Sequence, residues 1–462
     1  MRKVSSYKLI VIALGLMLVL GLMLAACGEE ETETTAAPTE TTAAPTETTA
    51  APTETTAAPT ETTAAGATGV VKVGMNAPLS GGAAAWGLPG MEGLTIITNW
   101  YNEAGGVKIG DTTYTFEIVE YDNQAIPDEA LLGARKLVLE DGCSLILDLG
   151  GATSASMAPF LTEQKIPSFT LIAQDLKADR PYLFAVTDNF PTYHALNVRF
   201  IKETYPDAKK MAILSQDDEI GIAAVAWSEA GAEVDGLEVV YDEPFSLDTT
   251  DFAQIVTKVL ASEPDIINLG ACYPEYQALI CEQAYLQGWE GIITSACWDF
   301  GAILAKVPKE FMEGSVSNFP DFDDPKLVDK GVFAAGKTYQ EFWDVWKAEY
   351  PDSSYSEITW EYGSALDVWV WAAQQAGSID GEAVSQALRA GKDVPRSFGT
   401  GNWTGMAYFG IDQLLAPTVP MTAIRDGKPA IEGWKNINEW MAEGDNAAIL
   451  EKYLVKWNLS VQ

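Results

Sequence analysis

Four short apolar runs, at residues 70–75, 115–121, 145–149 and 168–171, alternate with stretches whose apolar positions recur at helical spacing. Those stretches predict helices over 91–102, 128–141 and 155–163. In the second of them Asp128 is placed to cap, Ala130, Ala134, Leu137 and Val138 share one face, and Gly142 ends the helix. After Pro191 the alternation restarts. A helix is expected to residue 204, a strand at 211–215, a helix from Gly221, a strand at 237–241 and a helix over 251–262. A strand at 266–269, a helix from Pro274 and a strand at 292–295 complete the series. Short strands separated by helices are the pattern of parallel sheets with crossover helices. The fold class is therefore α/β, with two doubly wound units in tandem whose C-terminal strand ends face a shared crevice. That crevice is where open parallel sheets bind ligands.

Ahead of these units the pattern has another character. Arg2, Lys3 and Lys8 precede an apolar stretch from Leu9 to Leu22, and Leu24-Ala25-Ala26-Cys27 follows. This is the grammar of an export signal over residues 1–26. The tetrapeptide resembles the lipobox of bacterial lipoproteins, which makes Cys27 the expected lipidation site. An uncleaved anchor is the other reading, because the stretch reaches the roughly 17-residue lower limit of a span. The small residues stand where a cleavage enzyme needs them. Thr32 to Pro38 then reads Thr-Glu-Thr-Thr-Ala-Ala-Pro and is repeated to Pro59. No position in the repeat is a large apolar residue able to form a coiled-coil seam, and a proline in each copy breaks helices. Residues 27–69 are thus expected to form a lipidated, extended tether.

Of the 462 residues, those from Val70 onward suffice for two domains. They hold 57 of the 65 acids but only 26 of the 29 bases. Such a surface repels polyanions, so nucleic acid is excluded as a partner. With one histidine, His194, no Ser-His-Asp or Cys-His site is expected. No nucleophile elbow or phosphate loop occurs, and Gly87, Gly90 and Gly93 do not follow a strand as a dinucleotide fingerprint requires. The chain is not read as an enzyme, and no cofactor or metal is implied. Cys143, Cys272, Cys281 and Cys297 are buried thiols by default, with a Cys272–Cys297 bridge as the alternative, since each of that pair follows a strand.

Several segments carry a resemblance. Val73-Gly74-Met75-Asn76-Ala77-Pro78-Leu79-Ser80-Gly81, Trp86-Gly87, Asn102-Glu103-Ala104-Gly105-Gly106-Val107 and Tyr121-Asp122-Asn123-Gln124 resemble the type I periplasmic binding proteins of the leucine/isoleucine/valine transporter family. Lys165-Ile166-Pro167, Tyr273-Pro274-Glu275 and Tyr362-Gly363-Ser364-Ala365 continue the likeness in family order to about Lys435. The resemblance implies two doubly wound parallel-sheet lobes joined by a three-strand hinge. Lobe 1 is expected over 70–190 with a return at 316–404, lobe 2 over 191–315 with a return at 405–435, and a C-terminal extension over 436–462. It further implies a monomeric, lipid-anchored, extracytoplasmic protein that captures a small molecule and delivers it to an ABC permease. A sensory lipoprotein reporting to a chemoreceptor or kinase is the alternative.

The family holds a ligand carboxylate with the loops after the third and fourth strands. The first is Gly150 to Ser154, where Ala152, Thr153 and Ser154 open a helix and form an anion site, unless Ser154 only caps. The second contains Ile172 and Gln174. In lobe 2 the candidates are Ile220, Tyr273, Trp298 and Asp299, with Trp86 as an aromatic wall from lobe 1. The position expected to pair with a ligand ammonium falls near Cys297, and only a shifted register brings Asp299 there. The expected ligand is an apolar or aromatic carboxylate or amide, ahead of a branched-chain amino acid.

Overall fold

Strand β1 (Ala67–Ala77) is the centre of the first sheet, and its odd-numbered apolar side chains Val71, Val73 and Met75 are fully buried. The computed structural model describes residues 67–460 except 188, 329, 331, 332 and 417, so the expected signal segment, Cys27 and the tether lie outside it. Helix α1 (Ala84–Glu103) follows, then the hairpin β2 (Val107–Ile109) and β3 (Thr112–Asp122), and α2 (Pro127–Arg135). β4 (Leu145–Asp148), α3 (Ala152–Gln164), β5 (Ser168–Thr170) and β6 (Leu183–Phe184) complete the six-stranded sheet, in the order β2-β3-β1-β4-β5-β6. All its pairings are parallel except the β2–β3 hairpin.

The chain then builds α4 (Tyr193–Thr204), β7 (Lys210–Leu214), α5 (Glu219–Asp235), β8 (Glu238–Tyr241) and α6 (Ala253–Leu260). β9 (Ile266–Leu269), α7 (Pro274–Leu286), β10 (Ile292–Ser295), α8 (Phe300–Leu304) and β11 (Val316–Ser317) extend this second sheet. Helices α9 (Tyr339–Glu349), α10 (Ile358–Ala376) and α11 (Gly381–Ala390) return to the first lobe, where α10 packs along α1. A small antiparallel sheet, β12 (Val394–Arg396), β13 (Gly399–Thr404) and β14 (Leu414–Ala416), follows, with α12 (Met406–Phe409) between its last two strands. β15 (Thr418–Arg425) and β16 (Lys428–Asn436) join the second sheet beside β11, giving β16-β15-β11-β10-β9-β7-β8. The last helices, α13 (Ile437–Ala442) and α14 (Asn446–Lys456), lie against the second lobe, α13 on α4 and α14 on α5.

The two-lobed α/β architecture agrees with the expectation from the alternating pattern. Three local differences have physical causes. β2 is three residues long, too short to show a period. Helix α1 starts at Ala84 instead of 91, although Gly87, Pro89 and Gly90 lie in its opening turns. These residues lower helix propensity but permit close packing: a Cβ at Gly87 would lie 1.8 Å from the Pro78 carbonyl oxygen, and one at Gly93 only 1.5 Å from that of Thr359. The three spaced glycines are therefore packing positions. Asp128 does not cap α2, because Ile126 occupies the cap and Pro127 the first turn. The helix also continues as a π-turn over Lys136–Glu140.

Candidate ligand site between the lobes

The C-terminal ends of the strands of both sheets meet around a cavity of about 30 Å³. The first lobe contributes Trp86, Leu149, Leu171, Ile172 and Ile358, the crossover contributes Phe190, and the second lobe contributes Ile220, Gly270, Ala271, Cys272 and Cys297. Every lining side chain is apolar or a cysteine except Trp86, so the indole Nε1 is the only side-chain nitrogen or oxygen among these described residues. That N–H is buried and has no acceptor.

Trp86 is set in place by the loop that follows β1. Asp122 accepts from the backbone N–H groups of Leu79 (2.8 Å) and Ser80 (3.2 Å) and from the Ser80 hydroxyl (2.5 Å). The loop is thereby fixed ahead of α1, whose first turn carries the indole. Across the crevice, Tyr273 meets Trp86 edge-on with ring centroids 5.3 Å apart. Tyr273 lies just before Pro274 at the start of α7, and its N–H donates to Gln216 Oε1 at 3.2 Å. An edge-to-face pair of this kind contributes about 0.5–1.5 kcal/mol beyond burial and joins the lobes where they close.

The loop after β4 is arranged differently from the expected anion site. Gly150 and Gly151 have φ of 122° and 76°, in the region favouring glycine. Thr153 Oγ1 stands 3.0 Å from both carboxylate oxygens of Asp148, and Ser154 Oγ donates to Asp148 Oδ2 at 2.7 Å. The Gly151 N–H donates to Asp175 Oδ2 at 2.7 Å, and Thr170 Oγ1 donates to the same oxygen at 3.0 Å. The chain's own carboxylates thus use the hydroxyls assigned to a ligand. Ala152 is exposed to solvent. Ile220 packs over Gly151 from the opposite lobe, 3.1 Å from where a Cβ would stand.

Ile172 and Ile220 also line a wider mouth of about 540 Å³, with Gln174, Asp175, Lys177, Asp179, Arg180, Glu219 and the C-terminal residues 457–460. These two side chains divide an apolar interior from a charged exterior. Gln174 belongs to the exterior. Trp298 and Asp299 lie outside the cavity altogether. The loop after β10 is pinned at Cys297, whose carbonyl accepts from Ser295 Oγ (2.7 Å) and Gln277 Nε2 (2.5 Å). Cys297 therefore reaches the cavity, Trp298 turns into the second-lobe core against Phe300, and Asp299 caps α8 by accepting from Ala302 N at 2.8 Å. The described residues contain no disulfide, so Cys272 and Cys297 stay unbridged while lining one cavity. Sequence reasoning missed Leu149, Leu171, Gly270, Ala271 and Cys272. All follow strand ends and could have been found by applying the crevice rule position by position.

Burial pushes the Asp175 carboxyl up to about 7 and Asp148 to about 6; it likewise pushes Asp367, which accepts from Tyr101, to about 7. Each holds a proton more tightly folded than unfolded, so stability is lost as pH rises through these values. His194, held neutral by burial with its pKa lowered to about 3, acts in the opposite sense only below about 6.5. Folding stability is expected to rise by about 2 kcal/mol between pH 8 and pH 6. Thermal melts across that range check it, and Asp175→Asn should flatten the rise; a Tm that falls from pH 8 to 6 contradicts the assignment.

The periplasmic binding protein family matches residues 70–410, most of the chain. The chain belongs to that family. A leucine-, isoleucine-, valine-, threonine- and alanine-binding protein of Pseudomonas aeruginosa is 25% identical over 341 residues, covering 70% of this chain and 83% of the relative. Among solved structures, a leucine-binding protein from Thermotoga maritima aligns with a TM-score of 0.66 at 21% identity, covering 80% of this chain and 99% of its own. A solute-binding protein of an R. palustris ABC transporter, in complex with 4-hydroxybenzoate, aligns with a TM-score of 0.63 at 18% identity, covering 79% and 96%. As a periplasmic binding protein, the chain is a solute binder of the extracytoplasmic space and not an enzyme. Among the described residues no group of His, Cys, Asp and Glu suits a metal ion, and no helix is long and apolar enough to cross a membrane.

Proposed function

We propose that this protein is a lipid-anchored receptor that closes its lobes around a small apolar or aromatic solute and presents it to an ABC permease. The observation that carries this reading is the interlobe cavity itself, walled by strand ends of both sheets and shut by the Trp86–Tyr273 contact. A cavity of about 30 Å³ has room for about two water molecules. A solute therefore enters with the lobes apart, and closure moulds the apolar wall around it. The relatives named for branched amino acids and the one holding 4-hydroxybenzoate support a ligand with a compact apolar body. Mass spectrometry of the protein isolated under mild conditions is the direct test. A single co-purifying solute, rebound by the stripped protein with micromolar or tighter affinity, is expected. The absence of any solute, together with no closure in solution scattering on adding candidate solutes, rejects the reading.

The anchor is tested separately. Lipidation at Cys27 predicts that Cys27→Ser moves the protein from the membrane to the soluble fraction with its melting curve unchanged. Retention in the membrane fraction points to an uncleaved segment instead.

A further inference from the structure

We infer that the interlobe site selects an uncharged solute and discriminates against carboxylates, because Asp148 and Asp175 engage the hydroxyls and the N–H group that a ligand carboxylate would need. The inference rests on the solute-binding reading above and deepens it. Three independent features of the site converge on this conclusion.

The first is the use of donors. A carboxylate arriving at the start of α3 requires hydroxyls and backbone N–H groups facing it. Here the Thr153 hydroxyl is shared between Asp148 and the Gly150 carbonyl, Ser154 directs its hydroxyl to Asp148, and the Gly151 N–H is committed to Asp175 Oδ2. Asp148 also lies within 3.4 Å of Asn123 Nδ2, and both acids are almost fully buried. The second is charge. A third carboxylate beside two buried acids is repelled, and like charges at such a site force one of them to take up a proton. Arg180 offsets the charge of Asp175 only in part. Lys177 and Arg180 line only the outer mouth, together with Asp175, Asp179 and Glu219, and Arg180 Nη1 donates to the Asp175 backbone carbonyl at 2.8 Å. Neither cation lines the inner cavity.

The third is the lining of the inner cavity. Its side chains offer one unpaired polar atom, the Trp86 Nε1 donor, and no acceptor for an ammonium group. Asp299, the remaining candidate, is engaged as the cap of α8. A charged group entering this cavity loses its hydration without gaining a partner, which is strongly unfavourable. A neutral solute with an apolar body and a single acceptor satisfies the indole N–H and leaves nothing unpaired.

Calorimetric titration of the stripped full chain at pH 8 compares benzamide, p-cresol, benzoate and isoleucine. At least one of the neutral probes is expected to bind ten-fold or more tightly than benzoate and isoleucine. In the Asp148→Asn and Asp175→Asn variants, the ratio of benzoate affinity to neutral-probe affinity is expected to rise at least five-fold, and an unchanged ratio overturns the inference. If either variant fails to fold by circular dichroism, the four-probe comparison in the natural chain decides alone. Benzoate or isoleucine binding as tightly as the neutral probes overturns the inference while leaving the solute-binding reading standing. Failure of all four probes overturns the inference too, and the co-purifying solute then decides whether solute binding itself survives.

Discussion

Gly93→Ala is expected to destabilise the protein by about 3 kcal/mol, lowering Tm by roughly 4 °C. Helix propensity alone gives the opposite sign, because alanine in a helix interior is favoured over glycine by about 1 kcal/mol. Packing decides the outcome. A Cβ at Gly93 would stand 1.5 Å from the Thr359 carbonyl oxygen, and that oxygen belongs to the backbone of α10, which cannot rotate away as a side chain does. On the facing helix, a Cβ at Gly363 would meet Ile97 at 2.5 Å and the Gly93 carbonyl oxygen at 3.2 Å, so the two helices have no slack at this crossing. Gly82→Ala is the matched control, because its Cβ would find only the Tyr273 ring at an ordinary 3.6 Å. Thermal unfolding followed by circular dichroism checks the pair; a Gly93→Ala melt within 1 °C of the natural protein refutes the close crossing.

Trp86→Ala is expected to weaken binding of the co-purifying solute by about 1–3 kcal/mol, a loss of roughly 5- to 150-fold. Two effects add. The indole lines the inner cavity and supplies the one side-chain N–H donor among its described lining residues. It also meets Tyr273 across the crevice, so its removal lowers the population of the closed state that binds the solute. Trp86→Phe separates the two, since it keeps an aromatic contact and drops the donor. Titration calorimetry of both variants provides the measurement, and an alanine variant within two-fold of the natural affinity moves the ligand elsewhere.

The alternation of short strands and helices makes most of the fold legible in the sequence, because parallel sheets buried on both faces produce continuous apolar runs. The site is less so. Trp86, Ile172 and Ile220 stand out because they depart from or match a family pattern at strand ends, and all three line the cavity. Trp298 and Asp299 mislead for a reason of one residue: hydrogen bonds to the Cys297 carbonyl fix where the loop after β10 turns, and no periodicity records that. Ile358 reaches the cavity from a helix far along the chain from the first-lobe strands, and only tertiary packing brings it there. Asp148 does leave a mark, an acid at the end of a fully apolar strand, which signals a buried carboxylate with dedicated partners.

The C-terminal helix α14 is fastened to the second lobe through Lys452 and Tyr453 to Glu233 and through Lys456 and Trp457 to Glu229. Residues 457–460 then reach the crevice mouth and stand opposite 177–180 of the first lobe. Residues 457–460 therefore work as one jaw of a caliper. In the opening motion proposed above, the jaw would travel with the second lobe, and its separation from Ala178 would measure the hinge angle from outside the solute's path.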